Sequence, residues 1–365
     1  MRYSRSWQQT HFCYGTSKKM GNIDSRNERF YNLCGLGKAH LVEKMLENDR
    51  VYHTINIDWL SFESQSTPLL IASANGHDLV VDVLLRNNAK IEVKDSRDAS
   101  PLHHAAQRGY TEIAKKLIKA GSEINARDKL GWTPLMKACY WAHPDIILTL
   151  LEAGTDIDAQ TEQGRTALHE LCRSPPQPYT FSIDIEPTLA EISCMLIDAG
   201  ADVNKVDNDR FTPLMYAAYH NHPGVALVLL ESNCNMNDTD KQGWTALHWA
   251  VDRDNSEIVQ LLIDKGCRTD LSSQRNETVY SRIKSTKVKD ILKHVKRLST
   301  ISMSMTNVCL LTNGNDNQYI DQDLIKKLTR TTSVMDTNCS LPVISEQQNR
   351  STRSTILSPL TSTEV

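Results

Sequence analysis

Apolar residues recur along most of this chain in pairs set one helical turn apart. Val80-Val81 with Leu84-Leu85, Ile113-Ala114 with Leu117-Ile118 and Ile146-Ile147 with Leu150-Leu151 share one phase. Val225-Ala226 with Leu229-Leu230 and Ile258-Val259 with Leu262-Ile263 resume it. Positions i, i+1, i+4 and i+5 form one stripe, so each set predicts a short amphipathic helix. A second short apolar helix precedes each stripe, as at Leu102 to Gln107. Thr-Pro opens it, a hydroxyl to cap free N–H groups followed by a proline that the first turn tolerates. Gly76 and Gly109 are expected to end this first helix, and Gly121, Gly154, Gly200 and Gly266 to follow the second in a left-handed C-cap.

The spacing is periodic. Thr67-Pro68-Leu69-Leu70, Ser100-Pro101-Leu102-His103, Thr133-Pro134-Leu135-Met136 and Thr166-Ala167-Leu168-His169 follow one another at 33 residues. Thr212-Pro213-Leu214-Met215 comes 46 residues later, one period plus 13, and Thr245-Ala246-Leu247-His248 restores the step of 33. A period of this size means one supersecondary unit stacked many times. Such a stack is a one-dimensional scaffold that presents surface.

The T-P-L-H opening, the glycine after the first helix and the run Gly200 to Asn204 resemble the ankyrin repeat, over about residues 28 to 298. The resemblance implies an all-α solenoid of paired antiparallel helices with projecting loops, about eight helix-turn-helix units including caps. Asn88 and Asn233 stand where the C-cap glycine is expected, and asparagine also visits the left-handed region. Ala142, Asn221 and Asp254 replace the glycine between helices, so tighter or tilted turns are expected there. Phe30 to Leu46, with Leu41, Val42, Met45 and Leu46, and Thr278 to Leu298 read as capping units with wettable outer faces. The first inter-repeat loop, Asp49 to Gln65, has room for six extra residues. Residues 1–27 read as a flexible arm, and 299–365, rich in Ser, Thr, Asn and Gln, as a disordered tail. Within that tail Ile320, Leu324 and Leu328 line up at helical spacing.

The net charge of −3 gives no bulk electrostatic case for nucleic acid. Nine cysteines without C-x-x-C spacing suit a reducing compartment, and Cys139, Cys172 and Cys194 are expected to be buried. No apolar run approaches a membrane span and no signal-peptide region opens the chain. The expected location is the cytoplasm, with the nucleus or membrane-associated scaffolds as alternatives.

Twelve histidines invite a catalytic reading, which the repeat answers. His103, His169 and His248 occupy the slot that holds Leu70, Met136 and Met215 in sister units, so they fill a structural position. In ankyrin-like proteins that histidine is a loop-stabilising hydrogen bonder. His220 and His222 fall at the end of one helix and the start of the next, without supporting ligands, so no metal site is expected. Neither a phosphate loop nor a hydrolase or zinc-protease motif is present, and no enzyme, cofactor or metal is expected.

In ankyrin-like stacks partners meet the concave inner face of the first helices and the loop tips. Carried over by position, the resemblance implies His104, Gln107 and Arg108; Lys137, Tyr140 and Trp141; Glu170 and Arg173; Tyr216, Tyr219 and His220; and Trp249, Asp252 and Arg253. The tips hold Trp132, Arg165, Phe211 and Trp244; for Trp132 and Trp244, packing between loops is an equal alternative. Trp, Tyr and Arg dominate interface hot spots, and aromatics make up only 6% of this chain, so their concentration here favours a protein contact. Tyr140, Trp141 and Tyr219 are expected to be replaceable with little effect on melting.

Four other features stand outside the repeat. Ser174-Pro175-Pro176-Gln177-Pro178-Tyr179 opens an insertion near 174–187 and reads as an extended loop, with the second helix restarting near Thr188 on a Thr188/Glu191 capping box. Basic residues gather from Arg282 to Arg297, read mainly as a solvated face. Ser299 and Ser333 follow basic residues as kinase sites do. Thr363-Glu364-Val365 resembles a class I PDZ ligand, which implies strand addition with the terminal carboxylate in a backbone nest. The expected function is a non-enzymatic adaptor that holds one protein on the stack and a PDZ scaffold at its terminus. A ubiquitin-ligase substrate receptor would need a recruitment module that residues 299–365 do not display, and a nuclear cofactor would rest on the basic residues alone.

Overall fold

The computed structural model describes residues 22–50, 53–62, 65–175 and 186–294. Helices pair in order: α1 Asn22–Gly35 with α2 Ala39–Asp49, α3 Pro68–Asn75 with α4 Asp78–Arg86, α5 Pro101–Arg108 with α6 Thr111–Lys119, and α7 Pro134–Tyr140 with α8 Pro144–Glu152. There follow α9 Ala167–Cys172 with α10 Glu186–Asp198, α11 Pro213–His220 with α12 Pro223–Glu231, and α13 Ala246–Asp252 with α14 Ser256–Asp264. A short 3₁₀ turn, Val279–Arg282, and a helix over 286–294 close the described array. First helices pack on first helices, α1 on α3 through α11 on α13, and second on second, α2 on α4 through α12 on α14. Among the described residues there is no strand, only an isolated bridge between Ser272 and Thr278.

The repeat chemistry explains each entry. Thr67, Thr133, Thr212 and Thr245 accept the N–H three residues on, at 3.3–3.4 Å. His103, His169 and His248 fold back so that Nδ1 accepts the cap N–H at 3.1–3.2 Å. Nδ1 is therefore the acceptor and Nε2 carries the proton. In His103 and His169 it donates across the stack to the carbonyls of Trp132 and Phe211, at 2.9 and 3.1 Å. These rings are struts between neighbouring units.

The stripes are buried as the spacing requires, with Ile113, Leu117, Ile146, Ile147 and Leu150 at 0–1% exposure. At the first described unit the same position holds Leu41, which is 44% exposed. α1 begins at Asn22, six residues before the expected start of the array at 28.

Two expectations about turns change. Ala142, Asn221 and Asp254 adopt the same left-handed backbone as the glycines they replace, at φ 54°, 62° and 61°. Glycine is required at Gly76 and Gly109 for a second reason, since a Cβ there would lie 2.7 Å from the Tyr110 ring and 2.9 Å from the His143 ring of the following unit. α10 starts at Glu186, so Thr188 lies inside the helix rather than capping it. The Glu186 carboxylate instead accepts the Gly224 N–H and pairs with His222 Nδ1, tying the helix start to the next unit.

Candidate functional site

The helix-one face is built on a brace repeated at the loop tips. Asp95, Asp128, Asp207 and Asp240 each accept, on Oδ1, the backbone N–H groups two and four residues on, closing the tip turn at 2.8–2.9 Å. The remaining oxygen reaches the first helix nine residues away. It meets His104 Nε2 at 3.0 Å, Lys137 Nζ at 2.8 Å, Tyr216 Oη at 2.7 Å and Trp249 Nε1 at 3.0 Å. Burial pushes the Asp95 carboxyl up, but its hydrogen bonds from His104, Ala99 and Arg97 outweigh that and hold it below the usual carboxylate range. Burial and the Asp207 carboxylate push the Tyr216 phenol up. Four residues expected to face a partner are thus also anchored to their own loops, and an aspartate nine positions ahead of a donor was the available signal.

One unit inverts this arrangement. Thr161 replaces the aspartate and accepts only the Arg165 N–H, while the helix position holds Glu170. Expected at the surface, Glu170 is fully buried, because Arg165 Nε donates to its Oε1 at 2.6 Å and Arg173 Nη1 to its Oε2. A carboxylate can be taken out of water only when its lone pairs are met in this way. Arg165 and Arg173 remain partly open to solvent at 17% and 27% exposure.

Aromatic rings flank that clamp on both sides. On α7, Tyr140 lies edge-on to Trp132 at 5.4 Å and to Trp141 at 5.5 Å, and Lys137 sits over Trp132. Around α11 and α13, Phe211 packs on Tyr216 and Trp249, and Tyr219 on Trp249 at 5.3 Å. Arg173 lies over the Tyr216 ring and Arg253 over Tyr219, 3.6 Å from its centroid. The tip tryptophans Trp132 and Trp244 are buried, packed on Tyr140 and Trp249, which is the loop-packing alternative expected for them. Phe211, Tyr140, Tyr216 and Trp249 are half-buried and pack on the core, so Tyr140 is not free to be removed without cost. Trp141 and Tyr219 are half-buried outside that core cluster, and Arg108 and Arg253 are exposed.

Other sequence candidates resolve locally. Both ring nitrogens of His222 are engaged, by Glu186 and by the Ser174 carbonyl. Cys139 and Cys172 are buried, whereas Cys194 is exposed, on the outward side of α10 that Leu148 and Leu227 occupy in neighbouring units. Within the basic stretch, Arg282 pairs with Glu277 and Asp252, Lys284 with Asp252 and Lys293 with Asp290. Among the described residues no group of three metal-ligating side chains occurs, and no helix is long and apolar enough to cross a membrane. Residues 176–185, Lys296, Arg297, Ser299, Ile320, Leu324, Leu328, Ser333, Thr363, Glu364 and Val365 lie outside the described residues.

Comparison with known proteins agrees with this architecture. The family described as Ankyrin repeats (3 copies) matches residues 69–161, 102–177 and 188–273, together more than half of the chain. The solved human ASB11 ankyrin repeat domain is similar at 23% identity and a TM-score of 0.55, over 62% of this chain and 97% of that one. No curated protein matches. Ankyrin repeats are protein-interaction modules, and none of the similarity points to an enzyme family. On the extent of these matches the chain belongs to the ankyrin repeat family.

Proposed function

We propose that this protein is a non-enzymatic adaptor whose helix-one face, the concave face of an ankyrin stack, docks a protein partner. The observation that carries the reading is the alignment of Tyr140, Arg173 and Tyr219 at one position of three successive units, with Trp141, Trp249 and Arg253 beside them. These are hot-spot residue types held nearly rigid, so little rotamer freedom remains to be lost on binding. Replacing Trp141 and Tyr219 together by Ala should abolish capture of specific partners by the full chain while the helical circular dichroism and melting temperature stay close to wild type. An unchanged set of captured proteins would overturn the reading. His104, Arg108 and Lys137 form the rim on the N-terminal side.

A second limb rests on sequence alone. With the free carboxylate on Val365, the Thr363-Glu364-Val365 motif fits a class I PDZ groove, which would tether the stack to a scaffold. A peptide of the last ten residues, titrated against class I PDZ domains, should bind more tightly than its Val365→Asp counterpart; equal affinities would remove this limb.

A further inference from the structure

Around α11 the acidic groups are buried while the cations reach solvent: Glu170, Asp207 and Asp240 are 0%, 7% and 4% exposed, whereas Arg173 and Arg253 stay accessible. Glu170 carries one negative charge and is shared by Arg165 and Arg173, so that buried clamp sums to one positive charge. Arg253 has no carboxylate partner among the described residues and is exposed, held only against the Tyr219 ring. Neighbouring cations differ. Lys137 is matched by Asp128, and Arg282, which lies over Trp244, by Glu277 and Asp252.

The two solvent-facing charges are also positioned. Tyr216 and Tyr219 lie three residues apart on one face of α11. Arg173 reaches the first ring from the preceding unit and Arg253 the second from the following unit, so one guanidinium flanks each side of the tyrosine pair. A guanidinium stacked on a ring keeps its N–H groups in plane, free to make the forked contact that suits a carboxylate. Arg173 is further fixed by a fully buried carboxylate that cannot leave. Preorganised, solvent-facing arginines beside half-buried aromatic rings complement an acidic segment with an apolar side chain between its charges.

We propose that the surface centred on α11 binds an acidic peptide segment of a partner protein, one carboxylate seated on Arg173 and a second on Arg253, with an apolar side chain against Tyr219 and Trp249. This rests on the helix-one face being the docking surface, and adds the chemistry of what docks. Two carboxylates pair the two solvent-facing guanidiniums, and the contact weakens as salt rises.

Short random peptides displayed on phage and selected on the full-length chain in low salt test this. Selected sequences should be enriched in Asp and Glu, and their affinity should fall about tenfold for Arg173→Met and for Arg253→Met. Arg86→Met, which removes an exposed arginine from a second helix away from this face, should leave it unchanged. Because Arg173→Met also touches the buried Glu170, helical circular dichroism accompanies each variant, and Arg253→Met, which has no such liability, carries the test if Arg173→Met misfolds. Peptides that lose binding with Trp141→Ala/Tyr219→Ala but show no acidic enrichment and ignore both arginines overturn the inference and leave the docking face standing. Peptides indifferent to every substitution on the face overturn both. A selection that returns no acidic consensus, an empty one included, overturns the inference.

Discussion

The strut histidines set how this chain responds to acid. Burial holds His103 and His169 down at about 4, against an ordinary value of 6.5. The folded chain therefore refuses protons that the unfolded chain accepts. Their stabilising contribution is complete above pH 6.5, falls as pH drops from 6.5 toward 4, and loses nothing further below that. At roughly 1.4 kcal/mol per unit, the loss is on the order of 3 kcal/mol for each ring. Urea midpoints measured at pH 7.5 and 4.5 should differ strongly in the wild type. The His103→Met variant, which copies Met136 and Met215, should flatten that difference. Glu170 makes the second residue-level prediction. Arg165→Met leaves a fully buried carboxylate with one partner and should cost about 3–5 kcal/mol. Arg165→Met/Glu170→Met should recover part of that loss, and a double-mutant cycle in chemical denaturation reads the coupling; equal, additive losses would contradict the clamp.

At the scale of the helix pair, the turn between helices is decided by the next unit as much as by its own backbone. Left-handed φ values at Ala142, Asn221 and Asp254 show that glycine is dispensable for the conformation. What Gly109 uniquely supplies is room for the His143 ring, whose Nε2 donates to the Gln107 carbonyl at 3.2 Å. Gly109→Ala should therefore cost more than the 1–2 kcal/mol of left-handed backbone strain alone. In the unit after Asn221, the slimmer Asn255 stands where His143 stands after Gly109 and donates to the Ala218 carbonyl, so Asn221→Ala should stay within the strain figure. Thermal melts of the two variants make the comparison, and equal shifts would refute the ring argument.

At the scale of the described array, the substantial helix contacts run within a unit or between adjacent units, so stability is a chain of local interfaces. Leu150, fully buried in α8, lies at mid-array. Leu150→Ala should cost about 2–5 kcal/mol through the cavity it leaves. The same cut should weaken hydrogen-exchange protection most in α6, α8 and α10 and least in α2 and α14. Uniform loss along the array would show that the stack behaves as one cooperative core. The proposed partner face spans the same interfaces, because Tyr140, Arg173 and Tyr219 come from three successive units.

Period, helix pairing, caps and the buried stripes were legible in the sequence, because a repeat writes the same packing requirement many times in register. The histidine slot was legible for the same reason, through its exchange with Leu and Met. Glu170 and Cys194 were not, and for Trp132 and Trp244 the sequence left packing and partner contact equally open. Aligned position says which side of a helix a residue occupies, but burial there depends on what neighbouring units contribute. Glu170 is buried because Arg165 and Arg173 close over it, and Trp132 because Tyr140 and Lys137 cover its ring. Thr188 likewise lies inside α10, where Glu186 rather than a Thr188/Glu191 cap meets His222, 36 residues away. Local periodicity determined the backbone; charge pairing and ring contacts between units, which only the stacked structure brings within reach, decided which side chains remain to meet a partner.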